Sequence, residues 1–302
     1  MIYGYPDVGR HGLGHCLLAW GRCQLWCRDH GAQPLAPRWL RLRVGPYLRR
    51  EREKRNYFLL FRSGNAIGGL RKAWILATTR KVDERDAATV NPGGSAVVVF
   101  HSLPDNDIRQ DFGALRGEGP WLRRQLEAMT LPRYLPAGPA YPHVALHVRR
   151  GDFYIPDPGG ANAGQQNFRT GIDWFVDALL SLRAALGDST RAVIYSDGQD
   201  EELLPLLRLP SVVRAPGGSA VTDMLSMARA DALIASGSGF SIWGSLLGDV
   251  PRISAPGQQL VSVLGHADAE IELPAGEAVP ASFLARVRQR QSASGQESPC
   301  AA

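Results

Sequence analysis

The stretch His147-Val148-Arg149-Arg150-Gly151-Asp152-Phe153 concentrates the chemistry of this chain. Val144, Leu146 and Val148 alternate with His143, Ala145, His147 and Arg149, which is the period of a strand. Gly151 and Asp152 break that period. In an open α/β sheet, ligands sit outside the carboxyl ends of the strands. A guanidinium there stays charged, and its fork of N–H donors matches phosphate oxygens. Arg149 and Arg150 are therefore candidates for gripping a phosphorylated group and stabilising it as it leaves. Two bland readings stand beside this one. An arginine pair can simply bond to nearby carboxylates, and Arg-Gly-Asp tripeptides arise by chance.

Three other stretches have the same form, a strand that stops at polar residues. Val193-Ile194-Tyr195-Ser196-Asp197-Gly198 ends in an acid, which either faces a ligand or caps the helix that follows. Ala232-Leu233-Ile234-Ala235 runs into Ser236-Gly237-Ser238-Gly239 and a helix start near Phe240. Backbone N–H groups, hydroxyls and the helix dipole at such a turn favour a pyrophosphate, with Ser238 and Ser241 the candidate hydroxyls. The alternative is a plain βα turn. Ile2–Tyr5 reads as a strand, followed by Gly9, Gly12 and Gly14 and then a helix from about His15 to Arg28.

Taken together, these motifs resemble those of the GDP-fucose-dependent fucosyltransferases, most closely glycosyltransferase family 11, the α-1,2-fucosyltransferases. His-x-Arg-Arg-Gly-Asp-aromatic is similar to the first motif of that family. Thr222-Asp223-Met224-Leu225-Ser226-Met227 and then Ile234 to Gly244 resemble Asp-x-x-Leu-Met-Ser and Ile-Ala-Asn-Ser-Thr-Phe-Ser-Trp-Trp-Gly. Gly12-Leu13-Gly14-His15-Cys16 resembles a Gly-Leu-Gly-Asn-Gln stretch, with the last two residues replaced. The chain also departs at Gly198, where family 11 often has a second Asp, and at Ile242, where a tryptophan is expected. It has one extra residue in the serine loop.

The resemblance implies an α/β, GT-B-type architecture of two Rossmann-like domains with doubly wound parallel sheets. Residues 1–140 would form the acceptor side, residues 141–290 the nucleotide-sugar domain, and the Ser/Gly/Gln-rich residues 291–302 a disordered tail. It implies inverting transfer of fucose from GDP-fucose to a hydroxyl of a glycan acceptor. Asp197 would accept from the guanine edge with His147 near the base. Asp152, Ser236, Ser238, Ser241, Gly12 and Gly14 would complete the donor site. Arginines meeting the leaving charge, with no Asp-x-Asp motif present, imply no cofactor and no divalent metal. The general base stays open among Asp7, His11 and His15.

Bulk properties narrow the remaining classes. The chain has 302 residues, enough for two domains, and its 44% hydrophobic and 21% charged composition is ordinary for a globular protein. No apolar run approaches a membrane span and no signal peptide is seen, so the expected location is cytoplasmic. Cys16, Trp20, Cys23 and Cys27 fall on one helix face and read as reduced core residues rather than metal ligands. Net charge is uneven, +10 over residues 1–140 and −5 over residues 141–302. Much of the excess lies in Arg38–Arg55, either a solvated face or a peripheral contact with the inner face of a membrane and a lipid-linked acceptor. No nucleic-acid module is matched. The rival classes are a catalytically inactive GDP-sugar-binding protein and a basic membrane-surface or nucleic-acid module.

Overall fold

The computed structural model describes residues 1–9, 11–39, 57–91, 93–102, 108–138, 143–151, 153 and 168–296. Asp152 and almost all of Arg38–Arg55 therefore lie outside the described residues. The chain divides into two compact units, Met1–Leu135 and Pro136–Ala302. Each is an α/β unit with a wholly parallel sheet.

In the first unit β1 (Ile2–Asp7) is followed by α1 (Leu13–Asp29), β2 (Gln33–Pro34), α2 (Gly69–Thr78), β3 (Lys81–Asp83), β4 (Ala96–His101), α3 (Ile108–Gly113) and α4 (Gly119–Met129). The sheet order is β2-β1-β4-β3. One sheet face, Val98 and Phe100, packs on Ala19, Cys23 and Cys27 of α1. All three described cysteines are buried and free, as the helical stripe predicts. Gly4 makes this contact close, because a Cβ there would collide with the sulfurs of Cys23 and Cys27. The other face, Tyr3, Val97 and Val99, packs on Leu35 and on Ile75 of α2.

The second unit runs β5 (Val144–Val148), α5 (Ile172–Leu186), β6 (Ala192–Ser196), α6 (Asp200–Leu207), β7 (Val212–Arg214), α7 (Ala220–Met227), β8 (Ala232–Ala235), α8 (Gly239–Gly248), β9 (Arg252–Ser254), β10 (Glu270–Glu272) and α9 (Ala281–Gln296). Its order is β10-β9-β8-β5-β6-β7. Counted from its own first strand this is the 3-2-1-4-5-6 order of dinucleotide-binding sheets. Val144, Leu146 and Val148 face Phe175, Leu206 and Phe283 of α5, α6 and α9. Ala145 faces the other way, with Met227 of α7. Both faces are covered, so near-continuous apolar strands such as Ala-Leu-Ile-Ala are stable here.

One sequence expectation changes. The tail does not become disordered at Gln291, because α9 continues to Gln296. Arg290 donates to the carbonyls of Ala228, Ala230 and Gly248, and Gln291 reaches Asp231, which holds this helix on the unit. Ser219 caps α7, its hydroxyl accepting from the Thr222 N–H at 3.3 Å. Among the described residues no helix is long and apolar enough to cross a membrane.

Candidate donor site

In this strand order the switch point falls between β5 and β8, where the chain leaves adjacent strands in opposite directions. The residues at that point are Arg149, just past β5, and Ser236, just past β8. They are joined directly. The Arg149 N–H donates to Ser236 Oγ at 2.9 Å, and the Ser236 N–H donates to the His147 carbonyl at 3.0 Å.

Asp197, past β6, grips the same turn. Its carboxylate accepts the N–H of Arg150 at 2.8 Å and of Gly151 at 3.1 Å, and it pairs with Arg149 Nη1 at 2.6 Å. Gly151 is required by this grip, since a Cβ would clash with Asp197 Oδ2. Of the two roles weighed for Asp197 in the sequence, the helix cap falls to Gln199, and the carboxylate also holds the turn after β5. Three of the roughly four acceptor positions of the carboxylate are taken by the Arg-Arg-Gly turn. Arg149 also lies 5.6 Å over the Phe153 ring. A guanidinium has five N–H donors, so one carboxylate fixes its position without consuming the fork.

Arg150 is set differently. Its Nη1 donates to the Thr170 carbonyl at 3.1 Å, and its Nε lies 3.8 Å from Glu202. Burial lowers its pKa from the ordinary arginine value, opposed by Glu202. It ties the end of β5 to the segment that leads into α5. Arg169 was not singled out in the sequence, yet it donates to the Phe153 carbonyl and to Glu202, both at 3.1 Å. Arg214, also missed, donates to the carbonyls of Ser196 and Gly198 and pairs with Asp200. An arginine closing a short strand was the available signal for Arg214. Arg169 sits in a loop rich in Gly, Pro, Asn and Gln that offers none.

The serine loop divides into supports and one open position. Ser241 is fully buried, with its hydroxyl 2.9 and 2.8 Å from the carbonyls of Ser236 and Ser238. It braces the loop from within. Ser236 is buried and holds Arg149. Ser238 is half-buried and caps α8, accepting from the Phe240 N–H at 3.2 Å. It remains the serine at a helix N-terminus where anions are stabilised.

His147 is buried beside Phe240, with ring centroids 5.3 Å apart. Burial first, then the charge of Arg149, pushes its imidazole down to about 4, against a smaller pull from Asp197. It is neutral at pH 7, and its Nδ1 has no hydrogen-bond partner among the described residues. Gly12 and Gly14 belong to the first unit, Gly12 as the residue before α1 and Gly14 inside it. A Cβ at Gly12 would meet nothing within 4 Å. Among the described residues no group of three His, Cys, Asp or Glu side chains is arranged to hold a metal ion.

No family model and no curated protein matches this chain. Among solved structures, POFUT1 in complex with GDP-fucose is 13% identical with a TM-score of 0.47, over 84% of this chain and 97% of that one. NodZ alpha-1,6-fucosyltransferase soaked with GDP-fucose is 17% identical with a TM-score of 0.41, over 84% and 94%. Fucosyltransferase NodZ from Bradyrhizobium is 14% identical with a TM-score of 0.41, over 82% and 93%. The architecture given above rests on the strand orders themselves.

Proposed function

We propose that this chain is a GT-B-type, inverting glycosyltransferase that moves fucose from GDP-fucose to a hydroxyl of a glycan acceptor, with α-1,2 linkage as the motif resemblance implies. The observation that carries the reading is the Arg149–Ser236 hydrogen bond at the switch point of the second sheet. It brings the arginine motif and the serine loop, 87 residues apart, to the edge where such sheets bind nucleotides. The diphosphate would lie between Arg149 and the N-terminus of α8, with Ser238 at the cap. As the bond from C1 of fucose to the diphosphate breaks, negative charge grows on GDP. Arg149 and the helix dipole are already fixed to meet it, which is where preorganised donors lower a barrier. Asp197, Arg150, Arg169 and Ser241 hold those donors in place. With the charge met by protein groups, no divalent metal is required, and turnover should persist in excess EDTA. Catalysis at a cytoplasmic membrane face on a lipid-linked acceptor, with Arg38–Arg55 as the contact, completes the reading.

The second reading is a GDP-sugar-binding protein without turnover. It is favoured by the closeness of Asp197 to Arg149, a carboxylate already occupying the cation. Calorimetry with GDP-fucose, GDP-mannose and a UDP-sugar tests the donor. Release of GDP from GDP-fucose in the presence of a glycan library separates the two readings. Preference for a UDP-sugar would overturn both.

A further inference from the structure

The first sheet also ends in an organised polar group. Asp7 is the last residue of β1, Asp83 of β3 and His101 of β4, three neighbouring parallel strands. The register pairs Asp7 with His101, and Asp83 with Val99 two residues earlier. With a side-chain period of two, all three lie on one sheet face. That face is opposite α1, on the side that packs against α2. They line a cavity of about 410 Å³ together with Lys81, the Tyr5 ring and Leu76. The volume is within the ~300–1,000 Å³ usual for small-molecule sites.

The histidine is held from behind. Its N–H donates to Glu84 Oε1 at 3.0 Å, and its carbonyl accepts from Arg22 Nη2 at 2.8 Å. Arg22 in turn pairs with Glu84 at 3.0 Å and with Asp111 at 2.6 Å. Burial opposes the charge on Arg22, but the two carboxylates outweigh it and raise its pKa. Asp111 is buried and Arg22 and Glu84 are half-buried, and withdrawing charges from water is costly unless their partners are well placed. Here they clamp both main-chain polar groups of a single residue. The side chain in front is not clamped. Its Nδ1 is 3.9 Å from Asp7 and its Nε2 is 3.6 Å from Asp83, both beyond hydrogen-bond length. Neither ring nitrogen has another partner among the described residues.

We propose that this cavity is a binding site for a neutral saccharide, whose hydroxyls bridge His101 to Asp7 and Asp83. A hydroxyl both donates and accepts, so one placed between an imidazole nitrogen and a carboxylate satisfies both. Asp7 and Asp83, with Arg85 4.0 Å from Asp83 and Lys81 beside them, give a rim of mixed charge that favours neither an anion nor an ammonium. Tyr5 and Leu76 supply an apolar wall for the C–H face of a sugar ring. The site names the sugar end of the acceptor, and it rests on the proposed transferase reading only for the word acceptor. Any anionic part of that acceptor is bound elsewhere.

Saturation-transfer NMR with methyl β-galactoside, methyl β-glucoside and lactose, without nucleotide, tests it. Transfer to at least one of them is expected at about 20 mM, with affinity falling about tenfold or more in His101→Gln and in Asp83→Asn, since each loses a hydrogen bond to a charged or ring acceptor. Both variants should keep the parent circular dichroism spectrum, because the clamp holds the backbone of residue 101 and not its ring. Equal transfer to parent and variants, or none to the parent, overturns the proposal. So does loss of the saccharide signal on adding an equal concentration of inorganic phosphate or methylammonium, since the site would then prefer an ion. Calorimetry with GDP-fucose on the same samples reports the donor site separately. Lost donor binding with saccharide transfer intact would sink the transferase reading and leave this site standing.

Discussion

The two sheets finish differently at their carboxyl edges. In the second, the loops after β5, β6 and β8 are bonded to one another: Arg149 to Ser236, the Arg-Arg-Gly turn to Asp197, Ser241 to its own loop carbonyls. In the first, the bonds lie behind the edge, on the backbone of His101, and the side chains in front stand apart around a cavity. The difference matches two kinds of task. A site that must meet charge growing on a leaving group gains from donors that do not reorganise. A site that receives hydroxyls gains from side chains that are not closed onto one another. In both units half-buried charged groups set the position of a neighbour.

The strongest way to break this comparison is to remove the rear clamp. Arg22→Met leaves Glu84 and Asp111 without their cation, and should cost about 3–5 kcal/mol of stability in urea unfolding. A loss under about 1 kcal/mol would mean the network does not hold β4. Next is the front of the second edge. Arg149→Ala should lower turnover of GDP-fucose on the order of 10²–10³ while the thermal midpoint stays near that of the parent. Near-normal turnover would remove the phosphate role from this arginine.

A third test uses the buried imidazole under the closed edge. His147 titrates near 4 when folded, depressed by burial, against about 6.5 when unfolded. Between those values the unfolded chain binds a proton that the folded chain does not. Its contribution is therefore complete above about pH 6.5 and declines as the pH falls toward 4, by on the order of 3 kcal/mol. Over that range the urea midpoint of the parent should fall relative to that of His147→Phe as acid is added. Parallel curves would show that the ring is solvated.

The smallest effect separates the two serines. Ser241→Ala and Ser238→Ala should each cost about 1 kcal/mol, one for a buried hydrogen bond and one for a helix cap. Only Ser238→Ala is expected to weaken GDP binding directly, read by calorimetry. Equal losses of affinity would return Ser241 to the phosphate site.

By itself the sequence determined the parts whose signal is local. The alternation in β5, the apolar run of β4, the helical cysteine stripe and the glycine-serine turn before α8 are each set by neighbours within a few residues. The same locality identified Arg149 and Ser236 as polar residues at strand ends. The strands β2, β3, β9 and β10 escaped because two or three residues are too few to show a period. Only the tertiary structure decided which strand ends become neighbours, since ladder pairing joins residues far apart in the chain and leaves little local trace. That pairing set Asp197 against the Arg-Arg-Gly turn, a contact between residues 47 positions apart that no local pattern announces. It also brought Asp7, Asp83 and His101 to a single cavity, although Asp7 alone had been singled out, because a lone acid or histidine closing a strand has no meaning until its partners from other strands arrive beside it.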